Sequence, residues 1–428
     1  MAGGPRFWRW ALLLIAGFCM SILLGAGVAA AETGTGVRGS DSSANYSTPT
    51  SAPSAIAAKS RTTRVAASSR AISAVVDRPV ARPRADTPER GIGSVSTRSA
   101  PVGSAPALRA SSIASPDESI ASPDELSAPV PNGIAGVKTG ESDLVLPVGA
   151  NGYASLADWY FPSQSDGSMS PDGMIWLQHG LLANKSFYAK LATHLAQQTN
   201  SIVVVPNLPS LPLLCASCSL TGTSMQEAVA TLFLGDRDAL TQSAIAAGLV
   251  GALPEQYILA GHSAGGGFAA SVAGYTVDNG AAGDGKLLGV VMFDGVSTSD
   301  AMADAVQKLD TMDIPVYQIA APAQAWNEFG ATTNQLLALR PDEFDGVTLT
   351  GGSHVDSMMG TNRLFDSILQ LITRPSSAGN IAATYTLSTG WINDMYADAG
   401  PAGPQYGFYA PAGQEIAMGD TTAASLAG

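Results

Sequence analysis

Cysteine, histidine and charge are all scarce in this chain of 428 residues, and each shortage closes off a kind of chemistry. Three cysteines are present, and Cys19 lies in an N-terminal apolar run, which leaves only Cys215 and Cys218, spaced C-A-S-C. With no second cysteine pair and no histidine close by, this spacing does not make a zinc site. No P-loop, dinucleotide-binding glycine pattern or carboxylate–histidine cluster is found, so neither a cofactor nor a metal is expected. Charged residues make up 13% of the chain, and Asp plus Glu outnumber Lys plus Arg by 35 to 22. An acidic balance of this kind argues against nucleic acid as a partner.

What is present falls into four stretches. Arg6 and Arg9 precede the run WALLLIAGFCMSILLGAGVAAA, which closes on small residues before Glu32. This is the layout of a signal peptide, residues 1–31, with cleavage after Ala31. The run also has about the length of a membrane span, so an uncleaved anchor is the alternative. Either way a secreted or envelope-associated protein is expected. Residues 32–140 are rich in Ser, Ala, Pro and Arg and repeat ASPDE at 114–118 and 121–125. Such a segment buries too little apolar surface to offset its ordering entropy, and a disordered linker is expected. Its arginines would allow peripheral contact with an anionic cell envelope.

From 141 to 375 the texture is that of a folded domain. DLVLPVGANGYASLADWYFP reads as two strands joined by a turn. GMIWLQHG, SIVVVPNLP, QYILAGHS, KLLGVVMFDG, IPVYQIAAP and GVTLTGGSH are further short apolar runs. Between them, SMQEAVATLFLGD places Met225, Ala228, Val229, Leu232 and Phe233 at helical spacing. Strands alternating with helices predict an α/β fold, a mostly parallel sheet covered by helices on both faces. Ligands bind such sheets at the carboxyl ends of the strands. Ser263, Asp294 and His354 follow three different strands, in that order. Residues 376–428, rich in Gly, Pro and Tyr, show no helical period and read as an extension, either an extended strap or a partner contact.

The most specific signal is Gly261-His262-Ser263-Ala264-Gly265 between the strand QYILA and the helix-like FAASVAGY. A serine hydroxyl is a poor nucleophile until a base takes its proton and the turn presents its oxygen. A G-x-S-x-G turn from strand to helix is sharp, and Gly261 and Gly265 leave room for it. At this point the chain resembles the α/β-hydrolase family of serine esterases and lipases over residues 141–375. Its export signal and its Ala/Gly-rich, lysine-poor composition resemble those of high-GC actinobacteria, mycobacteria among them. The resemblance implies an α/β-hydrolase fold, with an oxyanion hole made by the backbone N–H groups of Leu181 and Ala264. It places the base at His354, after the last strand. His179 would prop the oxyanion loop, His194 would be a surface or packing residue, and the His262 side chain would point away from the nucleophile.

For the acid, most members of the family use the strand that here reads IPVYQIAAP, where the nearest carboxylate is Glu328. Asp294 ends the preceding strand. That placement resembles the platelet-activating-factor acetylhydrolase, pancreatic lipase and chlorophyllase groups, and Asp294 is taken as the acid with Glu328 as the alternative.

The stretch between Asp294 and Ile314 is too short for a large cap domain. PNLPSLPLLCASCSLTG would then rim an open mouth, or pack on the core. Together these features point to ester hydrolysis on lipid or envelope-derived substrates. An acyltransferase on the same three residues, or a non-catalytic envelope-binding protein on this scaffold, are the alternatives. In an oxidising compartment Cys215 and Cys218 are expected to form a local disulfide. Intact mass under non-reducing conditions should then be lower than that of the reduced chain by the two thiol hydrogens. Two alkylatable thiols would contradict the pairing.

Overall fold

The computed structural model describes residues 133–428 apart from 212–214, 216, 284, 298 and 362. The expected signal peptide and nearly all of the expected linker lie outside the described residues. The linker boundary at 140 moves, because the first strand, β1 (Ile134–Leu146), already covers residues 134–140.

β1 pairs antiparallel with β2 (Tyr153–Gln164), and Leu146 faces Tyr153 across the turn. Ser142, Leu144 and Leu146 are buried while Glu141, Asp143 and Val145 are exposed, the alternation of a strand covered on one face. The strands that follow are β3 (Gly173–Gln178), β4 (Ser201–Pro206), β5 (Tyr257–His262), β6 (Leu287–Phe293), β7 (Val316–Ala320) and β8 (Gly346–Leu349). All six run parallel. β3, β4, β5 and β7 are buried at every position, which is why their sequences are unbroken apolar runs rather than alternating ones.

On one face of the sheet Trp159, Trp176 and Tyr257 pack with Phe233 and Phe268 from the covering helices and loops. That face is covered by α2 (Thr223–Thr231), α3 (Asp238–Ala246), α4 (Ala264–Asp278) and α5 (Ala301–Asp310). On the other face Tyr160, Ile175 and Tyr317 pack with Tyr188 and Trp391, under α1 (Ala189–Gln198) and the long α8 (Ala378–Tyr396), which carries Trp391. α6 (Ala331–Leu339) and α7 (Arg363–Ile372) complete the helices of the described residues. The strand order is β1-β2-β4-β3-β5-β6-β7-β8, with β2 antiparallel to β4, and a single helix, α5, lies between β6 and β7. This is the α/β-hydrolase fold, without a cap inserted after β6.

The segment after 376 departs from the sequence expectation. Instead of an extended strap it opens with α8, and then β9 (Glu415–Met418) and β10 (Thr421–Ser425) form a hairpin. β10 joins the sheet antiparallel to β8. α8 is buried along most of its surface, from Ala382 and Ala383 round to Thr389 and Asp394. A helix buried on most sides carries no apolar stripe, so no period shows.

The loop that follows α8 is held by one carboxylate. Asp394, fully buried, accepts backbone N–H bonds from Gln405 and Tyr406 on Oδ1 (2.9 and 2.8 Å) and from Gly407 on Oδ2 (2.9 Å). Cys215 and Cys218 are disulfide-bonded. Replacing Asp394 by Ala strands three N–H groups, and a loss of about 3 kcal/mol in urea unfolding is expected. A variant within about 0.5 kcal/mol of the wild type would show that the loop does not depend on this carboxylate.

Candidate active site

β5 ends at His262 and α4 begins at Ala264, so the whole turn from strand to helix falls on Ser263. Its backbone sits at φ 54°, ψ −126°, a conformation that costs a non-glycine residue on the order of 1–3 kcal/mol. Packing holds it there. A Cβ on Gly261 would lie 2.0 Å from the carbonyl oxygen of Gly265, and one on Gly265 would lie 2.4 Å from that of Gln178. No other residue fits at either place. Ser263 donates its N–H to the Phe293 carbonyl (3.0 Å), and its own carbonyl accepts from Val296 N–H (2.8 Å). The elbow is thereby tied to the turn after β6.

That turn carries Asp294, which is buried and has positive φ (43°). Its Oδ1 accepts from Ala321 N–H (2.8 Å) and from Asn327 Nδ2 (3.1 Å). Its Oδ2 lies 2.6 Å from His354 Nδ1. The other ring nitrogen, Nε2, is 3.0 Å from Ser263 Oγ. A carboxylate beside Nδ1 keeps the proton there, so Nε2 is left to accept the serine proton. The structure thus brings Ser263, His354 and Asp294 into one hydrogen-bonded chain.

Glu328 is not part of that chain. It sits half-buried in a short kinked turn, Ala325–Gly330, with φ 51°, and burial raises its carboxyl above the usual range. The preceding residue, Asn327, does the work there. Besides reaching Asp294, it donates to the carbonyls of Ala321 and Pro322 (both 3.2 Å) and accepts from Gln324 N–H (2.8 Å). An asparagine in a loop reads as a turn former, so nothing in the sequence marked it.

The segment after β3 lies against the elbow, since a Cβ on Gly180 would come within 3.0 Å of Ser263 Cβ. The N–H groups of Leu181 and Ala264 are engaged by no other group among the described residues. Leu182, in the left-handed region (φ 61°), donates its N–H to Ser210 Oγ (3.1 Å). His179 is buried with Nδ1 2.9 Å from the Gly180 carbonyl, and burial lowers its pKa. His194 packs on Tyr385 with ring centroids 4.7 Å apart, on α1. Of the leucines expected at the rim, Leu208 and Leu220 are buried in the core and Leu211 is half-buried.

No protein-family model matches the chain, and no curated protein sequence does. Among solved structures it is similar to carboxyl esterase 2 from the fungus Tuber melanosporum. That match has 16% identity and a TM-score of 0.42, over 63% of this chain and 89% of that one. It is also similar to an S-formylglutathione hydrolase from Agrobacterium tumefaciens, at 15% identity and a TM-score of 0.34, over 50% and 85%. The fold assignment rests on the strand order and the elbow themselves.

A second buried acid lies in the same loop as His354. Asp356 accepts from Ser353 N–H on Oδ2 (2.7 Å), and the Ser376 hydroxyl lies beside its carboxyl. Burial, with Asp294 nearby, pushes its carboxyl from the ordinary 3.8 up to about 6. A pKa raised on folding means that the folded state holds the proton more tightly. The contribution to stability is full below about pH 4 and is lost as pH rises through about 6. Asp356→Asn removes it, so wild type should lose about 3 kcal/mol relative to the variant between pH 4 and pH 7. Asp345, raised to about 7 by burial, contributes to both proteins alike, so the difference isolates Asp356. Parallel stability curves would show that Asp356 is not raised.

Proposed function

We propose that the protein is a serine hydrolase that cleaves carboxylic esters through an acyl-enzyme on Ser263. The observation that carries this reading is the unbroken chain from Ser263 Oγ through His354 to Asp294, set on a strained elbow. In it His354 Nε2 takes the Ser263 proton as Oγ attacks the ester carbonyl. The Leu181 and Ala264 N–H groups receive the charge that develops on the carbonyl oxygen, where each such donor is worth roughly 3–4 kcal/mol. The Asp294 carboxylate stabilises the imidazolium and holds its orientation. The imidazolium then gives its proton to the departing alkoxide, leaving the acyl group on Ser263. Water, deprotonated by His354, attacks the acyl carbon, and the proton returns to Ser263 as the acid leaves.

An N-terminal apolar run with the layout of a signal peptide supports a secreted or envelope-associated setting for this activity, with lipid or envelope-derived esters as the proposed substrates. The short link from β6 to α5, which leaves the site without a cap there, suits such bulky esters.

A fluorophosphonate probe should label Ser263 and no other residue, and labelling that survives Ser263→Ala would sink the assignment. Asp294→Asn should lower turnover of a chromogenic ester by roughly 10⁴, the loss that the corresponding change brings in serine proteases. Glu328→Gln should cost less than about tenfold, since it reaches none of the three. The reverse pattern would move the acid to Glu328.

A further inference from the structure

The residue before the nucleophile has its own hydrogen-bond chain. His262 is buried, with Nε2 2.6 Å from the backbone carbonyl of His354 and Nδ1 2.6 Å from Tyr188 Oη. Tyr188 Oη in turn accepts the N–H of Gly180 (3.1 Å), the residue before Leu181. Tyr188 closes the short helix Lys185–Tyr188 that follows the oxyanion loop, and it is fully buried. One side chain therefore touches the backbone of the base, and through Tyr188 it touches the backbone of the oxyanion loop.

The directions of these bonds follow from what each atom can do together with the burial of the ring. A carbonyl only accepts, so His262 Nε2 carries a hydrogen. The Gly180 N–H only donates, so the Tyr188 oxygen accepts it and its own O–H is free to point at His262 Nδ1. Burial favours the neutral ring, lowering the His262 pKa well below its usual value, and with the hydrogen on Nε2 its Nδ1 is then bare to accept the Tyr188 O–H. Burial also raises the pKa of Tyr188. Neutrality matters because the His262 and His354 rings lie 4.8 Å apart, centroid to centroid. A cation on His262 would oppose the imidazolium that His354 becomes during turnover.

We propose that His262 and Tyr188 are a positioning pair, which sets the Gly180–Leu181 donor loop and the His354 backbone in register around Ser263. The inference rests on the ester-hydrolase reading. Neither residue touches the substrate or the reacting atoms, so loss of the pair should lower kcat and leave KM nearly unchanged.

The full chain can be assayed on p-nitrophenyl acetate, with turnover expressed per site titrated by a fluorophosphonate, which corrects for unfolded protein. Tyr188→Phe removes one oxygen and keeps the ring. It should lower kcat per titrated site by about tenfold to a hundredfold, the size of effect that small misplacements of reacting groups bring, with KM within about threefold. His262→Gln keeps a donor near Nε2 and should recover part of the turnover lost in His262→Ala. The double variant Tyr188→Phe, His262→Ala should be no slower than His262→Ala alone, because both changes cut one chain. A loss under about tenfold in Tyr188→Phe, equal losses in the two His262 variants, or losses that multiply would each overturn the proposal. A wild-type chain that is neither labelled at Ser263 nor active would instead overturn the ester-hydrolase reading, and this inference with it.

Discussion

Everything at the site depends on how closely α4 begins against the end of β5. A helix that starts one residue after a strand must double back over it, and only glycine at 261 and 265 lets the two backbones approach. The contact that excludes a side chain at Gly265 is with the carbonyls of Gln178 and His179, at the end of β3. The same closeness therefore lays the loop of Gly180 and Leu181 beside the helix N-terminus. β3 and β5 are neighbours, while β4 lies on the far side of β3, so the strand order reverses at this point. Ligands of open α/β sheets bind at such a reversal, outside the carboxyl ends of the strands. The Ser263 amide and carbonyl bind the turn that holds Asp294, so the two residues cannot move independently.

Buried carboxylates in this molecule differ in how well the backbone serves them. Asp394 takes three N–H bonds, and Asp294 takes one N–H, one amide and one imidazole. A charge satisfied in this way is tolerable inside a protein. Asp356 receives a single backbone N–H, with the Ser376 hydroxyl beside it, and it is held toward its protonated form. The loop bearing His354 thus contains a charge that the fold accommodates poorly, two residues from the ring on which the proposed chemistry depends.

Much of this was legible in the sequence, for identifiable reasons. The central strands announce themselves as apolar runs because they are buried on both faces, and the elbow does so because its glycines are sterically enforced. The Asp294 position could be read because it directly ends a strand. What stayed hidden acts through loops or lacks a period. Asn327 and Tyr188 are ordinary residues whose roles arise from contacts across the fold. α8 is buried on most sides and enriched in Thr, Gly and Ala, so neither pattern nor propensity marked it. The hairpin of β9 and β10 did carry a signal, Gly419-Asp420 between two short runs, with Gly419 at φ 58°. The surrounding glycines and prolines masked it.

The hairpin has a consequence for the order in which the site can be assembled. β8 is four residues long and leads straight into the loop of His354, and its outer edge is closed by β10. A strand that short gains little from one neighbour alone. During synthesis the stretch through His354 is complete well before residues 421–425 exist, and until they pair, the loop has no wall behind it. The elbow draws on strands that precede it or follow it closely in the chain, whereas the loop of His354 is braced by a strand about seventy residues further on.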